Sequence, residues 1–356
     1  MVTTVPVATT AAATTTTLPP VRHFTTIFSG DLLIHAPVYR RAATYAGGEG
    51  YDFVPMFVDV KPLVSSVDLA ICHLEVPIAP PDEEPQTSPR YAAPKELIAA
   101  VASAGYDRCS TSSNHTMDQG VAGIDATLAA FDEQGLTQSG MARHAFEGEP
   151  TVLDVNGVAV THLSYTFPTL HVPNGQPWRA NNIDPDRIIA DARTARAKGA
   201  EVVIVSLHWG TEGISRPSPF QREVAEPLTA SGVIDLIVGH HAHVVQPIEQ
   251  VNGVWTVFGM GNFLSNMPTG TFPPSSQDGV LVQVGFDVAP DGKVTVGKPI
   301  VYPTFVDKDA TYVIQDVLAE LASSDLTERE RLIFERSLER VSSVVGEFVA
   351  TAPFSR

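Results

Sequence analysis

Leu236-Ile237-Val238-Gly239-His240-His241-Ala242-His243 joins a short apolar run to a glycine and three imidazoles within four residues. A run of this kind reads as a buried strand, and polar side chains just past such a strand sit where open α/β sheets present their ligand sites. The arrangement recurs along the chain. Thr26-Ile27-Phe28 leads into Ser29-Gly30-Asp31, with His35 beyond; Leu69-Ala70-Ile71 leads into Cys72-His73-Leu74-Glu75. Val202-Val203-Ile204-Val205 leads to His208-Trp209-Gly210, and past Arg108 come Ser112-Ser113-Asn114-His115-Thr116-Met117-Asp118.

From Arg22 onward apolar runs alternate with helical patterns, so the fold class is α/β. Strands are predicted at His23–Phe28, Asp68–Cys72, Arg108–Thr111, Thr151–Asp154, Val158–Ser164, Val202–Leu207, Leu236–Val238, Val254–Phe258, Val280–Phe286 and Lys293–Val296. Helices are predicted near Phe53–Ser65, Lys95–Ala104, Val121–Gln134, Pro185–Lys198 and Pro219–Ala230. Ala289-Pro290-Asp291-Gly292-Lys293 is a turn signal between β-rich runs, which adds antiparallel strands and implies two sheets packed face to face. Residues 79–94, rich in proline and acidic at Asp82-Glu83-Glu84, form a long loop placed to overhang the site. From Asp325 the chain reads as a helix capped by Asp325 or Thr327. Phe334, Leu338, Val341, Val345 and Phe348 form its apolar stripe for docking on the domain.

Of 356 residues, 44% are hydrophobic and 18% charged, a composition that fits a large globular core and excludes global disorder. The net charge of −17 argues against nucleic acid or an anionic bilayer as a partner. No run approaches the roughly 18 apolar residues of a membrane span. Residues 1–21 are rich in threonine and proline and uncharged through residue 20, the composition of a disordered tether. Two readings stay open for it: a tail of no consequence, or the stalk of an exported, envelope-associated protein whose signal or lipid anchor has been removed. Two cysteines cannot make a disulfide scaffold. Buried thiols are the expectation for Cys72 and Cys109, although one bridge is conceivable because they end strands that would be neighbours.

Each polar cluster alone is weak, since Gly-Asp after a strand is usually a turn and a lone histidine is usually a satisfied buried group. Together they form a mixed set of Asp, Glu, Asn and several His. That set suits divalent Mn, Fe or Zn, and the absence of Cys ligands argues against a structural zinc site.

The ordered set Gly-Asp, carboxylate, Asn-His, strand-His and Gly-His-x-x-His resembles the calcineurin-like metallophosphoesterase superfamily. The fuller strings are His73-Leu74-Glu75-Val76-Pro77, Ser113 to Gly120, His208 to Gly210, Gly239 to Gln246 and Gly261 to Phe263. They are similar to those of the CapA family of bacterial capsule and poly-γ-glutamate biosynthesis proteins, over about Phe24 to Asp307. The resemblance implies a four-layer αββα sandwich, metallo-dependent phosphatase-like, over residues 22–310, with 311–356 as a helical extension docked on it. It also implies one or two divalent metals: Asp31 on one, Glu75 in the bridging place, Asn114 on the second, and His208 with His240, His241 and His243 completing the set. Two departures stand out. Leu33 occupies the place of a superfamily histidine, a gap that His35 would fill, and Glu75 is longer by a methylene than the usual Asp. Which two of the three clustered imidazoles coordinate stays open.

In this reading His115 protonates the leaving group and Asp118 orients it, although Asp118 also suits the first turn of a helix. Arg90, Arg179 and Arg216, all in loops, are candidate contacts for an anionic substrate, with solvated surface charge as the plainer reading. Trp178 and Trp209 could line the pocket, with Trp209 alternatively packed beneath His208; Asn262 is expected to tie a loop. The function implied is that of a metal-dependent hydrolase or transferase in capsule or poly-γ-glutamate biosynthesis at the cell envelope. Its partners would be an anionic polymer or phosphoester substrate and a membrane synthase complex. The alternatives are a non-catalytic accessory protein that binds polymer or synthase through a degenerate metal site, and a phosphodiesterase or nucleotidase acting on a soluble phosphoester.

Overall fold

Period-two alternation in the first strands decides the layering. In β1 (Arg22–Leu33) and β2 (Leu69–Leu74), Phe24, Phe28, Leu69 and Ile71 pack on one face, and Ile27, Ala70, Cys72 and Leu74 on the other. With β3 (Arg108–Ser110) and β4 (Thr137–Ser139) they form a run of parallel neighbours. The connections carry α1 (Ala36–Tyr45), α2 (Lys61–Val64), α3 (Glu96–Ala104) and α4 (Gly120–Gln134). Their Val38, Leu63, Leu97, Val101 and Phe131 cover the Ile27 face.

The chain then builds a second sheet from β5 (Leu153–Val155), β6 (Val158–Thr166), β7 (Val202–His208), β8 (Leu236–His240), β9 (Ile248–Val251) and β10 (Val254–Val257), in the order β5-β6-β7-β8-β10-β9. Val202 and Ile204 of β7 face the first sheet. Val203, Val205 and Leu207 pack instead with α5 (Pro185–Ala197) and α6 (Pro219–Ala230). The chain returns to the first sheet as β11 (Asn262–Ser265), β12 (Asp278–Val288), β13 (Val294–Val296), β14 (Ile300–Val306) and β15 (Ile314–Asp316). The order there is β15-β14-β12-β1-β2-β3-β4, with β11 on β1 and β13 on β12. Helices, sheet, sheet, helices: this is the expected four-layer αββα sandwich.

The computed structural model describes residues 20–167, 170–268, 270–308 and 310–354. The tether expected over residues 1–21 lies, as far as residue 19, outside them. Beyond the sandwich come α7 (Val317–Ala322) and α8 (Glu328–Val345), the latter capped by Thr327 in a reciprocal box with Glu330. Phe334 of α8 packs with Phe305 and Val317, while Val341 and Val345 join the core between the sheets. Arg340 and Ser337 bind the buried Asp278 carboxylate at 2.6 and 2.7 Å.

Local expectations were overturned where proline intervenes. The helix expected over Phe53–Ser65 is a 3-10 turn at Val54–Phe57 and the single turn α2. Pro55 and Pro62 have no N–H to donate to a continuous helix. The thiols expected at Cys72 and Cys109 are instead a disulfide, since the two residues are register partners on adjacent β2 and β3.

Candidate metal centre

Asp31 reaches the site because β1 breaks register on both sides of it. Gly30 allows this: a Cβ there would lie 2.2 Å from the Gly261 carbonyl oxygen, and that oxygen accepts the Asp31 N–H at 2.9 Å. The Asp31 carboxylate is buried. It accepts from His240 Nδ1 at 3.1 Å and from the His241 backbone N–H at 3.2 Å, and His243 Nδ1 stands 3.1 Å from it. His241 and His243 both hold positive φ, 81° and 55°. Such backbone costs on the order of 1–3 kcal/mol per residue and persists where the surroundings over-determine it.

The histidine signal at the end of β2 is stronger than the sequence reading assigned. His73 stacks on His240 with ring centroids 3.9 Å apart, and its ligand atoms gather with those of Asp31 and His240 within 4.8 Å. Glu75, His241 and His243 form a second buried group on the same measure. His73, quoted within the His-Leu-Glu string but given no role there, thus brings an imidazole beside Asp31. His35 does not enter either group. Its Nδ1 lies 3.0 Å from the Leu33 carbonyl and its Nε2 lies 3.3 Å from the Tyr91 hydroxyl.

A relay of hydrogen bonds joins these rings. Ser110 Oγ lies 2.8 Å from His73 Nδ1 and 3.2 Å from the Cys72 carbonyl, and His73 Nε2 lies 2.9 Å from His208 Nδ1. His208 Nε2 lies 2.8 Å from Asn114 Oδ1, a hydrogen bond when that nitrogen carries the proton. The amide is oriented from its other end, where Asn114 Nδ2 donates to His115 Nε2 at 3.3 Å and His115 Nδ1 donates to Asp118 Oδ2 at 2.8 Å. Both oxygens of buried Glu75 and the Nδ1 of His241 have no hydrogen-bond partner among the described residues.

The electrostatics sort these groups. Burial raises Asp31, but hydrogen bonds from His240 and His243 overcome it and hold the carboxyl well below its usual range. Burial pushes Glu75 up to about 7, with His243 opposing and Asp31 reinforcing the rise. His243 is lowered by burial, yet Glu75 and Asp31 carry it up to about 9. Burial and then His243 bring His241 down to about 3. Burial, followed by neighbouring imidazoles, keeps His73 and His208 well below the ordinary histidine value and therefore neutral.

Seven sequence-predicted residues, Asp31, Glu75, Asn114, His208, His240, His241 and His243, therefore converge, with His115 and Asp118 beside them. The proline-rich loop supplies one wall: the Tyr91 ring meets His115 edge-on at 4.6 Å, its N–H donates to Asp118 Oδ2 at 2.7 Å, and Arg90 binds the Asp118 carbonyl. Phe167 lies against His241 at 4.6 Å. Tyr91 and Phe167 carried no motif and could not be found by pattern. The other two arginines are engaged elsewhere or solvated: Arg179 pairs with Asp125 at 2.6 Å, and Arg216 is exposed. Trp209 packs beneath the site, its N–H on the Phe258 carbonyl, and Trp178 lines a separate cavity. Asn262 ties the Ser276 carbonyl at 2.8 Å and His243 Nδ1 at 3.0 Å.

The profile of the family described as bacterial capsule synthesis protein PGA_cap matches residues 25–267. The chain belongs to this family. It is 28% identical over 260 residues to the capsule biosynthesis protein CapA of Bacillus anthracis, covering 69% of this chain and 62% of that one. It is 31% identical over 178 residues to the PGA biosynthesis protein CapA of Bacillus subtilis, covering 48% and 45%. The match thus spans less than two thirds of either relative. A probable polyglutamine synthesis accessory protein of Mycobacterium tuberculosis is 24% identical over 222 residues, covering 57% of each. Among solved structures, a phosphatase of Mycoplasma pneumoniae aligns with TM-score 0.50 at 15% identity, covering 83% of this chain and 95% of that one. The calcineurin-like phosphoesterase YfkN of Bacillus subtilis aligns with TM-score 0.50 at 13% identity, covering 91% and 98%. The family's capsule-synthesis fold is thus a calcineurin-like phosphoesterase fold, and its buried His, Asp and Glu groups are compatible with divalent metal.

Proposed function

We propose that this protein is a metal-dependent hydrolase or transferase that acts on an anionic polymer of the capsule or poly-γ-glutamate type at the cell envelope. The observation that carries the reading is the buried acceptor set. Both Glu75 oxygens and the His241 Nδ1 are buried with no hydrogen-bond partner among the described residues, and His243 Nε2 comes no nearer to Glu75 Oε1 than 3.6 Å. A shared cation satisfies that set, and imidazoles with carboxylates suit Mn, Fe or Zn.

Asp31 and His240 would hold one ion with His73, whose Nε2 would exchange its hydrogen bond to His208 for the metal; Glu75, His241 and His243 would hold a second; Asn114 and His208 would close the set. A divalent metal supplies Lewis acidity toward a phosphoryl or carbonyl oxygen and lowers the pKa of water at the site. The protein's own contribution is proton control. Asp118 fixes the His115 ring through Nδ1, so Nε2, here accepting from Asn114, is the atom that would take up a proton and pass it to a leaving group, and Tyr91 limits the ring's rotation. The Cys72–Cys109 bridge supports folding in an oxidising, extracytoplasmic compartment. No helix among the described residues is long and apolar enough to cross a membrane, so a synthase complex would be met as a partner.

One feature favours a second reading, an accessory protein that binds polymer or synthase: Leu33 stands where the superfamily carries a histidine. Metal analysis with turnover assays on poly-γ-glutamate and an aryl phosphodiester separates the readings. Bound metal with polymer turnover supports the hydrolase or transferase. Turnover of the small diester without the polymer moves the function to soluble phosphoesters. Polymer binding without turnover, loaded with Mn, Fe or Zn, establishes the accessory role.

A further inference from the structure

The Arg108 guanidinium lies inside the sandwich, 3% exposed, and pairs with no carboxylate among the described residues. Its Nε donates to His162 Nδ1 at 3.2 Å, and its Nη2 to Thr151 Oγ1 and to the His162 carbonyl at 3.4 Å each. His162 is no counter-charge. Burial and then Arg108 hold it well below its ordinary pKa, and its Nε2 is committed to Ser206 Oγ at 2.9 Å. Arg108 Nη1 donates to no acceptor among the described residues. A buried cation left this way is strongly unfavourable.

Beside it lies a small cavity lined by Arg108, Gly140, Thr151, His162 and Trp178, among others. The indole N–H of Trp178 is buried there without an acceptor. Three acids also line the cavity, but each already has a cation: Glu147 has Arg143, Glu149 has Lys198 and Asp191 has Arg187. The uncompensated charge is positive, and Arg108 and Trp178 line the same space.

We propose that this cavity is a binding site for one small monovalent anion, chloride or another halide, held by Arg108 and Trp178. Charge decides the class. Glu147, Glu149 and Asp191 on the lining oppose a multiply charged anion, which leaves a small monovalent one, and the cavity, about 30 Å³, has no room for a polymer segment. Arg108 belongs to β3 of the first sheet and its partners Thr151 and His162 to the second-sheet side. The anion therefore neutralises a charge trapped between the sheets, and fold stability depends on halide. This holds whether or not the metal centre is catalytic.

Crystals of the full chain grown or soaked in bromide test the site directly, by anomalous scattering. The expected result is a peak within hydrogen-bonding reach of Arg108 Nη1 and Trp178 Nε1; no peak there means water fills the cavity and overturns the proposal. In solution, replacing gluconate by chloride at constant ionic strength should raise the melting temperature by a few degrees. Arg108→Gln should abolish that rise. Trp178→Phe keeps the ring and removes only the donor, so it should shrink the rise and decides the matter if the arginine variant fails to fold. An undiminished chloride response in Trp178→Phe would sink the idea.

Discussion

Asn114 Oδ1 lies 2.8 Å from His208 Nε2, and the amide's other end is held by His115 Nε2 at 3.3 Å. If a metal takes the place of the proton shared between Asn114 and His208, the oxygen matters and the amide nitrogen does not. Asn114→Ala should weaken Mn or Zn binding by at least about tenfold, while Asn114→Asp keeps the oxygen and the metal. Titration calorimetry with each ion checks this; equal affinities in all three proteins would remove Asn114 from the ligand set.

His115 is a different kind of neighbour, since its Nδ1 is spent on Asp118 and only Nε2 faces the site. His115→Ala should retain metal and lower turnover by about 10²- to 10⁴-fold for substrates with poor leaving groups. The loss should shrink for nitrophenyl esters, whose leaving group needs little protonation. Loss of metal from this variant would make His115 a ligand or a scaffold.

The Cys72–Cys109 bridge closes a segment of 37 residues. Loop-closure entropy assigns such a cross-link about 4 kcal/mol, so replacing both cysteines by alanine should cost several kcal/mol in urea unfolding. Unreduced, denatured protein should show no titratable thiol.

Arg340 binds Asp278 through Nε at 2.6 Å and Nη2 at 2.7 Å, and Asp278 is 1% exposed. Burial already raises the Asp278 pKa, and Arg340 is the largest influence lowering it. Arg340→Met should destabilise the fold by about 3 kcal/mol near neutral pH, because a buried carboxylate loses its partner. The raised carboxyl then favours the protonated form in the native state, so the deficit should grow as pH rises through the folded pKa and shrink on acidification. Denaturant midpoints at pH 4.5 and pH 8 test the sign; a deficit independent of pH would assign the effect to lost packing of α8 alone.

The legible part of the fold was the part with simple periodicity. β7 and β8 are apolar on both faces because they are buried on both, and their ends announced His208 and His240. β14 was missed because Pro303 interrupts Ile300–Val306, though Tyr302 and Phe305 bury there. α1 was missed because Ala36, Val38 and Ala42 are too few and too small to mark an apolar stripe. At the site, motif residues were readable as donors. His73 was hidden within a string read for its carboxylate, and Tyr91 and Phe167 owe their positions to tertiary folding of loops. The disulfide needed the register of β2 on β3, which spacing alone does not supply.

The first sheet is finished by a strand that comes late: Thr26 of β1 bonds the Val284 carbonyl of β12, 258 residues away. Asp31 precedes Gly261, which cradles it, by the length of the whole second sheet, and the three clustered histidines come only at and after the end of β8. Contacts so distant in sequence form slowly. Until then Asp31, His73 and Glu75 lack the imidazoles of His240, His241 and His243. The occupant is therefore chosen where folding ends, and the abundance of Mn, Fe and Zn in that place weighs as heavily on its identity as the ligands do.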